Sequence, residues 1–195
     1  MMLSILICSL TSRATLLSRV MRQLNSQIAA GKRQSTVEVL PYIDGGELTV
    51  GAKRNALLDR AGGEWVCFID DDDYVSDSYV QLITEAIEQH QPDCVGITGQ
   101  ILWKGTWCRF EHSLRYSTYA TISGPVFIRP PNHLNPIRTR FSREIRFPEQ
   151  NRGEDTAFAM ALQNSGRLQR EHFISDIVYF YVPSRAEDRE TPRVG

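Results

Sequence analysis

The chain of 195 residues has no Cys-x-x-Cys pair and no histidines at zinc-ligand spacing, which argues against a structural zinc module. Its four cysteines, Cys8, Cys67, Cys94 and Cys108, are widely scattered. Cys8 and Cys67 sit inside apolar runs and read as buried free thiols, as expected in a reducing compartment. Long hydrophobic runs are missing too: nothing approaches the roughly 20 apolar residues that span a bilayer. The apolar opening, residues 1–8, lacks a basic leader and soon meets Arg13, so neither a secretory signal nor a membrane span is expected, and a cytoplasmic protein is. Internal repeats and low-complexity segments are absent. Net charge is almost absent as well, at −1, so no whole-molecule field draws the chain to nucleic acid or membrane.

The charge that is present is unevenly placed. Residues 1–37 carry Arg13, Arg19, Arg22, Lys32 and Arg33 and no Asp or Glu. A later stretch holds Arg129, Arg138, Arg140, Arg143, Arg146 and Arg152 against Glu144 and Glu149. Such patches form solvated helix faces or meet phosphate-bearing and acidic ligands. With 42% hydrophobic and 23% charged residues, the composition is that of an ordinary globular domain.

Residues 3–9 form a short, continuously apolar run, as in a parallel strand covered on both faces. Thr11 or Ser12 can cap the helix that follows, in which Leu17, Val20, Met21, Leu24 and Ile28 recur at helical spacing. Residues 36–43 read as a strand ending at Asp44-Gly45-Gly46, 52–61 as a short helix closed by Gly62-Gly63, and 64–69 as a second buried strand. Val80, Ile83 and Ile87 mark another helix, ending near Pro92. This strand–helix alternation predicts a parallel α/β sheet with ligands at the carboxyl ends of its strands. Further on, strands are expected over 94–102, 106–111, 122–128 and 173–182, with a helix over 154–164. The expected organisation is one domain over 1–182, with halves 1–92 and 93–182, and a loose tail over 183–195.

The strongest chemical signal is the strand Trp65-Val66-Cys67-Phe68-Ile69 running into Asp70-Asp71-Asp72-Asp73. Crowded carboxylates repel, and a divalent cation with hard oxygen ligands relieves them, which suits Mn²⁺ or Mg²⁺. An acidic loop near the N-terminus of the Val80 helix is the simpler alternative. A haloacid-dehalogenase-like phosphotransferase, with Asp70 as nucleophile, also uses an apolar strand ending in Asp-x-Asp. There, however, the acidic strand opens the fold, whereas here it is third in order.

Residues 51–73, Gly51-Ala52-Lys53-Arg54-Asn55 through Ala61-Gly62-Gly63-Glu64 to Phe68-Ile69-Asp70-Asp71-Asp72-Asp73, resemble the core of glycosyltransferase family 2. In that family a G-x-x-x-x-R-N helix leads through A-x-G-E into an F-[LI]-D-x-D-D turn. Asp44-Gly45-Gly46 stands where the family has an acidic turn, although the second acid of that turn is missing here. Gly153-Glu154-Asp155 resembles its later E-D motif at a helix start. The resemblance implies a GT-A fold (Rossmann-like, mostly parallel, with a mixed acceptor-side half) and transfer of a sugar from a nucleotide-diphosphate sugar, UDP-sugar by family habit, with inversion.

The resemblance also implies roles. Asp72, with Asp70, would hold the metal ion against the donor diphosphate, and Asp70 or Asp71 would reach the ribose or support the metal. Asp44 would recognise the base or simply serve its turn; Thr11 and Arg13 would frame the nucleotide; Arg54 would pair with diphosphate or with the aspartates. Asp155 is the candidate general base and Glu154 its orienter, although both also suit a helix first turn. His133, within the unusual segment Pro130-Pro131-Asn132-His133-Leu134-Asn135-Pro136, could touch acceptor or metal or be a structural hydrogen-bonder. Trp103 and Trp107 could stack on a sugar or pack across strands, and His172 or Arg185 could be a late metal or diphosphate ligand. A polysaccharide or glycoconjugate acceptor comes first, and a modified DNA base, as in phage enzymes, second.

Overall fold

The computed structural model describes residues 1–122 and 124–182, so Ser123, Arg185 and the expected tail over 183–195 lie outside the described residues. Within them the chain opens with β1 (Leu3–Leu10), a single 3-10 turn (Thr11–Arg13), α1 (Ala14–Ala30) and β2 (Val37–Asp44). It continues with α2 (Val50–Arg60), β3 (Trp65–Phe68), β4 (Tyr74–Val75) and α3 (Tyr79–His90). The second part contains β5 (Cys94–Trp103), β6 (Thr106–His112), β7 (Ala120–Ile122), β8 (Val126–Arg129) and β9 (Ile137–Arg138). It closes with α4 (Thr139–Ile145), α5 (Glu154–Asn164) and β10 (Glu171–Tyr181).

One sheet runs through the molecule in the order β2-β1-β3-β9-β5-β6-β8-β7, with β10 beside β5 and β4. β1 pairs in parallel with both β2 and β3, so all three strands deliver their carboxyl ends to the same edge. The second half is mixed: β9 runs antiparallel to β3 and β5, β6 antiparallel to β5, and β10 parallel to β5. The alternation of side chains along each strand divides the core in two. Leu3, Ile5, Ile7, Cys67 and Ile69 face α1 and α3 through Leu17, Val20, Leu24, Val80, Ile83 and Ile87. Leu6, Val66 and Phe68 face the opposite layer with Leu57, Leu58, Phe141, Phe158 and Leu162 of α2, α4 and α5. Among the described residues no helix is long and apolar enough to cross a membrane.

Several sequence expectations are corrected. Neither Thr11 nor Ser12 caps α1; Arg13 holds the N-cap position and no side chain bonds the first turn. The continuous strand expected over 122–128 is a hairpin, with β7 and β8 antiparallel about a turn containing Gly124 (φ +92°) and Pro125. The short β4, β9 and α4 carry too little periodicity to be read from sequence. The second basic stretch is largely consumed internally. Arg143 donates to the carbonyls of Leu58 and Ala61, at 2.9 and 2.7 Å, while Arg138 pairs with Glu64 and Arg146 with Asp59. These contacts fasten the β9–α4 segment to the end of α2 and to the start of β3, leaving those three guanidinium groups engaged.

Helix α2 positions the site most directly. Thr49 caps it by accepting from the Ala52 N–H at 3.2 Å. Asn55 bonds both backbone groups of Phe147, each at 2.9 Å, and the N–H groups of Val50 and Gly51 donate to Asn151 Oδ1 and the Gln150 carbonyl at 3.0 and 3.1 Å. The segment leading into α5 is thereby clamped onto α2. Gly51 is required there because a Cβ would stand 1.8 Å from the Pro148 carbonyl oxygen. We expect Gly51→Ala to cost about 1–3 kcal/mol by forcing backbone apart. Chemical denaturation would read that loss, and hydrogen exchange should show added mobility at 147–155 and leave β1 protected.

Candidate active site

The four aspartates after β3 separate into two kinds. Asp71 and Asp73 are buried and structural in their bonding. Asp71 accepts from Ser9 Oγ and pairs with Arg13 at 2.7 Å. Asp73 accepts from the Tyr179 hydroxyl at 2.7 Å and from the Val182 N–H at 2.9 Å, while the same hydroxyl accepts from the Asp70 N–H at 3.3 Å. Burial raises the pKa of both carboxyls; for Asp71 the Ser9 hydrogen bond and Arg13 oppose it, and for Asp73 the Asp70 charge adds to it.

Asp70 and Asp72 face open space instead. Asp72 pairs with Arg13 at 2.6 Å, and Asp70 with Arg54 at 3.4 Å. Arg54 is 4% exposed and also pairs with Glu154 at 3.3 Å, its guanidinium lying 5.5 Å from the Phe68 ring centre and 5.3 Å from that of Phe147. The acidic turn, the α2 arginine and the start of α5 are thus one cluster. Gly153, at φ +74°, turns the chain into α5, and Glu154 and Asp155 occupy its first turn, where the helix dipole favours negative charge.

Two hollows meet at this cluster. A cleft of about 450 Å³ is lined by Ser9, Arg13, Lys53, Asp71, Asp72 and Asn151, among others. A second, of about 660 Å³, is lined by Trp103, Phe127, Arg129, His133, Asp155 and Tyr181, among others. Asp70, Arg54 and Glu154 line both. The structure therefore assembles Arg13, Arg54, Asp70, Asp71, Asp72, Glu154 and Asp155 around a continuous groove at the strands' carboxyl edge.

Other residues singled out from sequence lie elsewhere or are otherwise engaged. Thr11 is exposed and outside the lining of both hollows. Asp44 accepts from Lys53 Nζ at 2.8 Å and from the N–H groups of Leu48 and Gly46, and the Lys53 bond, first among these, lowers its pKa. Trp107 packs edge-on against Phe180 and not into the groove, while Trp103 meets Phe127 edge-on at the cavity wall. His172 stacks on His90, with ring centres 4.0 Å apart. Sequence reasoning missed Lys53 and Ser9. A buried Lys-Arg pair on one helix was the available signal for Lys53; nothing in the sequence distinguished Ser9.

Among the described residues no three His, Cys, Asp or Glu side chains converge into a metal cage. The donor set of Asp70 and Asp72 still fits Mn²⁺ or Mg²⁺, because such ions commonly take one or two carboxylates and complete their shell with substrate phosphates and water. Both carboxylates open onto the cleft that could supply that space.

The pattern described as Glycosyl transferase family 2 matches residues 41–113, from β2 through the acidic turn to β6. Over those residues the chain is similar to that family. Its fold matches that of Staphylococcus aureus TarS 1–349 crystallised with UDP-GlcNAc, with a TM-score of 0.65, 19% identity, and coverage of 96% of this chain and 60% of the other. By sequence it is 27% identical over 142 residues to the S. aureus poly(ribitol-phosphate) beta-N-acetylglucosaminyltransferase TarS, covering 69% of this chain and 24% of TarS. It is 38% identical over 65 residues to the uncharacterized glycosyltransferase EpsJ of Bacillus subtilis, covering 33% of this chain and 18% of EpsJ. The chain thus spans a quarter or less of the curated relatives it matches. The fold is GT-A, which removes the haloacid-dehalogenase-like alternative: Asp70 follows the third strand of a GT-A sheet.

Asp73→Ala should strand the Tyr179 O–H and the Val182 N–H, at about 1–3 kcal/mol for each buried group left unpaired. Asp73→Asn, which retains an acceptor there, should lose less, and thermal melts of the two variants side by side test the ordering.

Proposed function

We propose that the chain transfers a sugar, with inversion, from a UDP-sugar to a hydroxyl of a carbohydrate or glycoconjugate acceptor. The observation that carries this reading is the junction of two hollows at one cluster, with Asp70, Arg54 and Glu154 common to both. The presence of UDP-GlcNAc in the TarS structure of like fold supports the choice of donor. No comparison favours a DNA base as acceptor, and the glycan reading is the one we keep.

In this reading the nucleotide lies in the smaller cleft, with its diphosphate beside Asp72. Asp70 and Asp72 would hold Mn²⁺ or Mg²⁺ there; the ion would offset the charge that develops as the nucleoside diphosphate leaves. Arg13, fixed by Asp71, keeps Asp72 directed at the cleft. Lys53 holds Asp44 at the end of β2, where the base would lie. The transferred sugar sits at the junction. On its far side Asp155 takes the proton of the acceptor hydroxyl as that oxygen attacks the anomeric carbon opposite the leaving diphosphate. Glu154, held by Arg54, fixes the first turn of α5 and so the position of Asp155. Trp103 and Phe127 offer an apolar wall on which an acceptor sugar ring can lie, with Arg129 beside it.

Calorimetric titration of UDP, GDP and dTDP with and without Mn²⁺ tests the donor half. UDP should bind in a metal-dependent manner, and Asp72→Ala should weaken it by about 10-fold or more. Absence of nucleotide binding under every condition would sink the proposal. Asp155→Asn should leave UDP binding intact while lowering transfer by about 100-fold or more, read as UDP release with an acceptor glycan present.

A further inference from the structure

His133 is 6% exposed, and neither of its ring nitrogens has a hydrogen-bond partner. Leaving a buried polar group unpaired costs about 1–3 kcal/mol, so native structures rarely keep one without a use. Among the described residues, both nitrogens of His133 and one nitrogen each of His112 and Asn132, all of which line the larger cavity, are buried without a hydrogen-bond partner. This concentration marks a polar ligand surface at the cavity's base.

The imidazole is held there by a buried loop tied down through its backbone. The His133 carbonyl accepts from the Phe68 N–H at 2.8 Å, tying it to β3 two residues before Asp70. Asn132 Oδ1 accepts from the Leu134 N–H and Asn135 Oδ1 from the Asn132 N–H, each at 3.0 Å. Asn135 Nδ2 donates to the carbonyls of Val95 and His112 at 2.9 and 3.3 Å. The loop's backbone is therefore fixed, while its one imidazole is left with bonding capacity directed at the cavity.

Resting on the sugar-transfer reading above, we infer that His133 is a specificity residue for the transferred sugar, bonding one of its ring hydroxyls. Nε2 of His133 stands 3.7 Å from Asp70 Oδ2, too far for a direct hydrogen bond and close enough to serve neighbouring hydroxyls. Either imidazole nitrogen can hydrogen-bond a sugar hydroxyl, which both donates and accepts. Location selects the donor sugar over the acceptor. Asp70 lines both hollows and His133 lines the larger one with its Nε2 3.7 Å from Asp70, which puts the imidazole beside the junction assigned to the transferred sugar. A site built around hydrogen bonds discriminates strongly against analogues whose hydroxyls point elsewhere.

The test measures affinities of UDP, UDP-GlcNAc, UDP-glucose and UDP-galactose, with Mn²⁺, for wild type, His133→Ala and His133→Phe. We expect wild type to bind one UDP-sugar more tightly than UDP. Both variants should keep the wild-type UDP affinity, lose about tenfold for that sugar nucleotide and flatten the preference among the three. The phenylalanine variant fills the same volume without polar atoms, so it reads the same loss if the alanine variant does not fold. Wild type that binds UDP but no sugar nucleotide more tightly overturns this role and leaves the proposed function standing. Unchanged sugar preference in a folded variant does so too, as does an equal loss for UDP and UDP-sugars. Wild type that binds no UDP overturns both.

Discussion

A single guanidinium, that of Arg54, holds the two halves of the molecule in register. It is buried beside the rings of Phe68 and Phe147 and pairs with Asp70 from the acidic turn and Glu154 from the first turn of α5. Arg54 and Glu154 are both buried, and removing one partner of such a pair leaves the other uncompensated, at a cost of about 3–5 kcal/mol. The cluster therefore couples two segments that are some eighty residues apart in sequence. Everything the groove needs follows from that coupling. Arg54 ties the turn after β3 to the start of α5. Asn55, the next residue along α2, repeats the constraint in neutral form by bonding both backbone groups of Phe147. The Arg-Asn dipeptide is thus a mechanical joint.

The first half was legible because its signals are local. Continuous apolar runs mark β1 and β3, helical spacing marks α1 and α3, and the parallel pairing of β1 with β2 and β3 follows from the helices between them. The second half was less legible because its elements are short and defined by partners distant in sequence. β9 is two residues long and exists by pairing with β3 and β5. The β7–β8 hairpin is set by one turn inside what reads as a single β-rich run. Among site residues, Asp70, Asp72, Arg54, Glu154 and Asp155 stood out from recognisable motifs. Lys53 and Ser9 did not, since their importance lies in which carboxylate each one meets after folding.

The arginines show the same limit from the other side. Counted along the chain, the stretch from Arg129 to Arg152 suggests a surface for an acidic partner. In the fold, Arg138, Arg143 and Arg146 bond carboxylates and helix-end carbonyls, where cationic side chains are favoured by the helix dipole as well. Arg129 alone of that stretch lines the larger cavity. A linear count of charge therefore overstates the basic surface that an acceptor would meet.

The acidic turn likewise changes meaning once it is folded. Four adjacent aspartates look like a charge problem that a divalent ion must solve. Instead, Arg13 meets Asp71 and Asp72, Arg54 meets Asp70, Arg19 donates to the Asp73 carbonyl at 2.8 Å, and a tyrosine hydroxyl and a backbone N–H satisfy the Asp73 carboxylate. Repulsion within the turn thus does not by itself demand a metal ion. The division of labour is more informative. Asp71 and Asp73 point inward and fix the turn to β1 and β10, so that Asp70 and Asp72, on alternate positions, are presented together to the groove. Two inward carboxylates are the condition for two outward ones to hold a fixed spacing, and a fixed spacing is what a hard cation shared with a diphosphate requires.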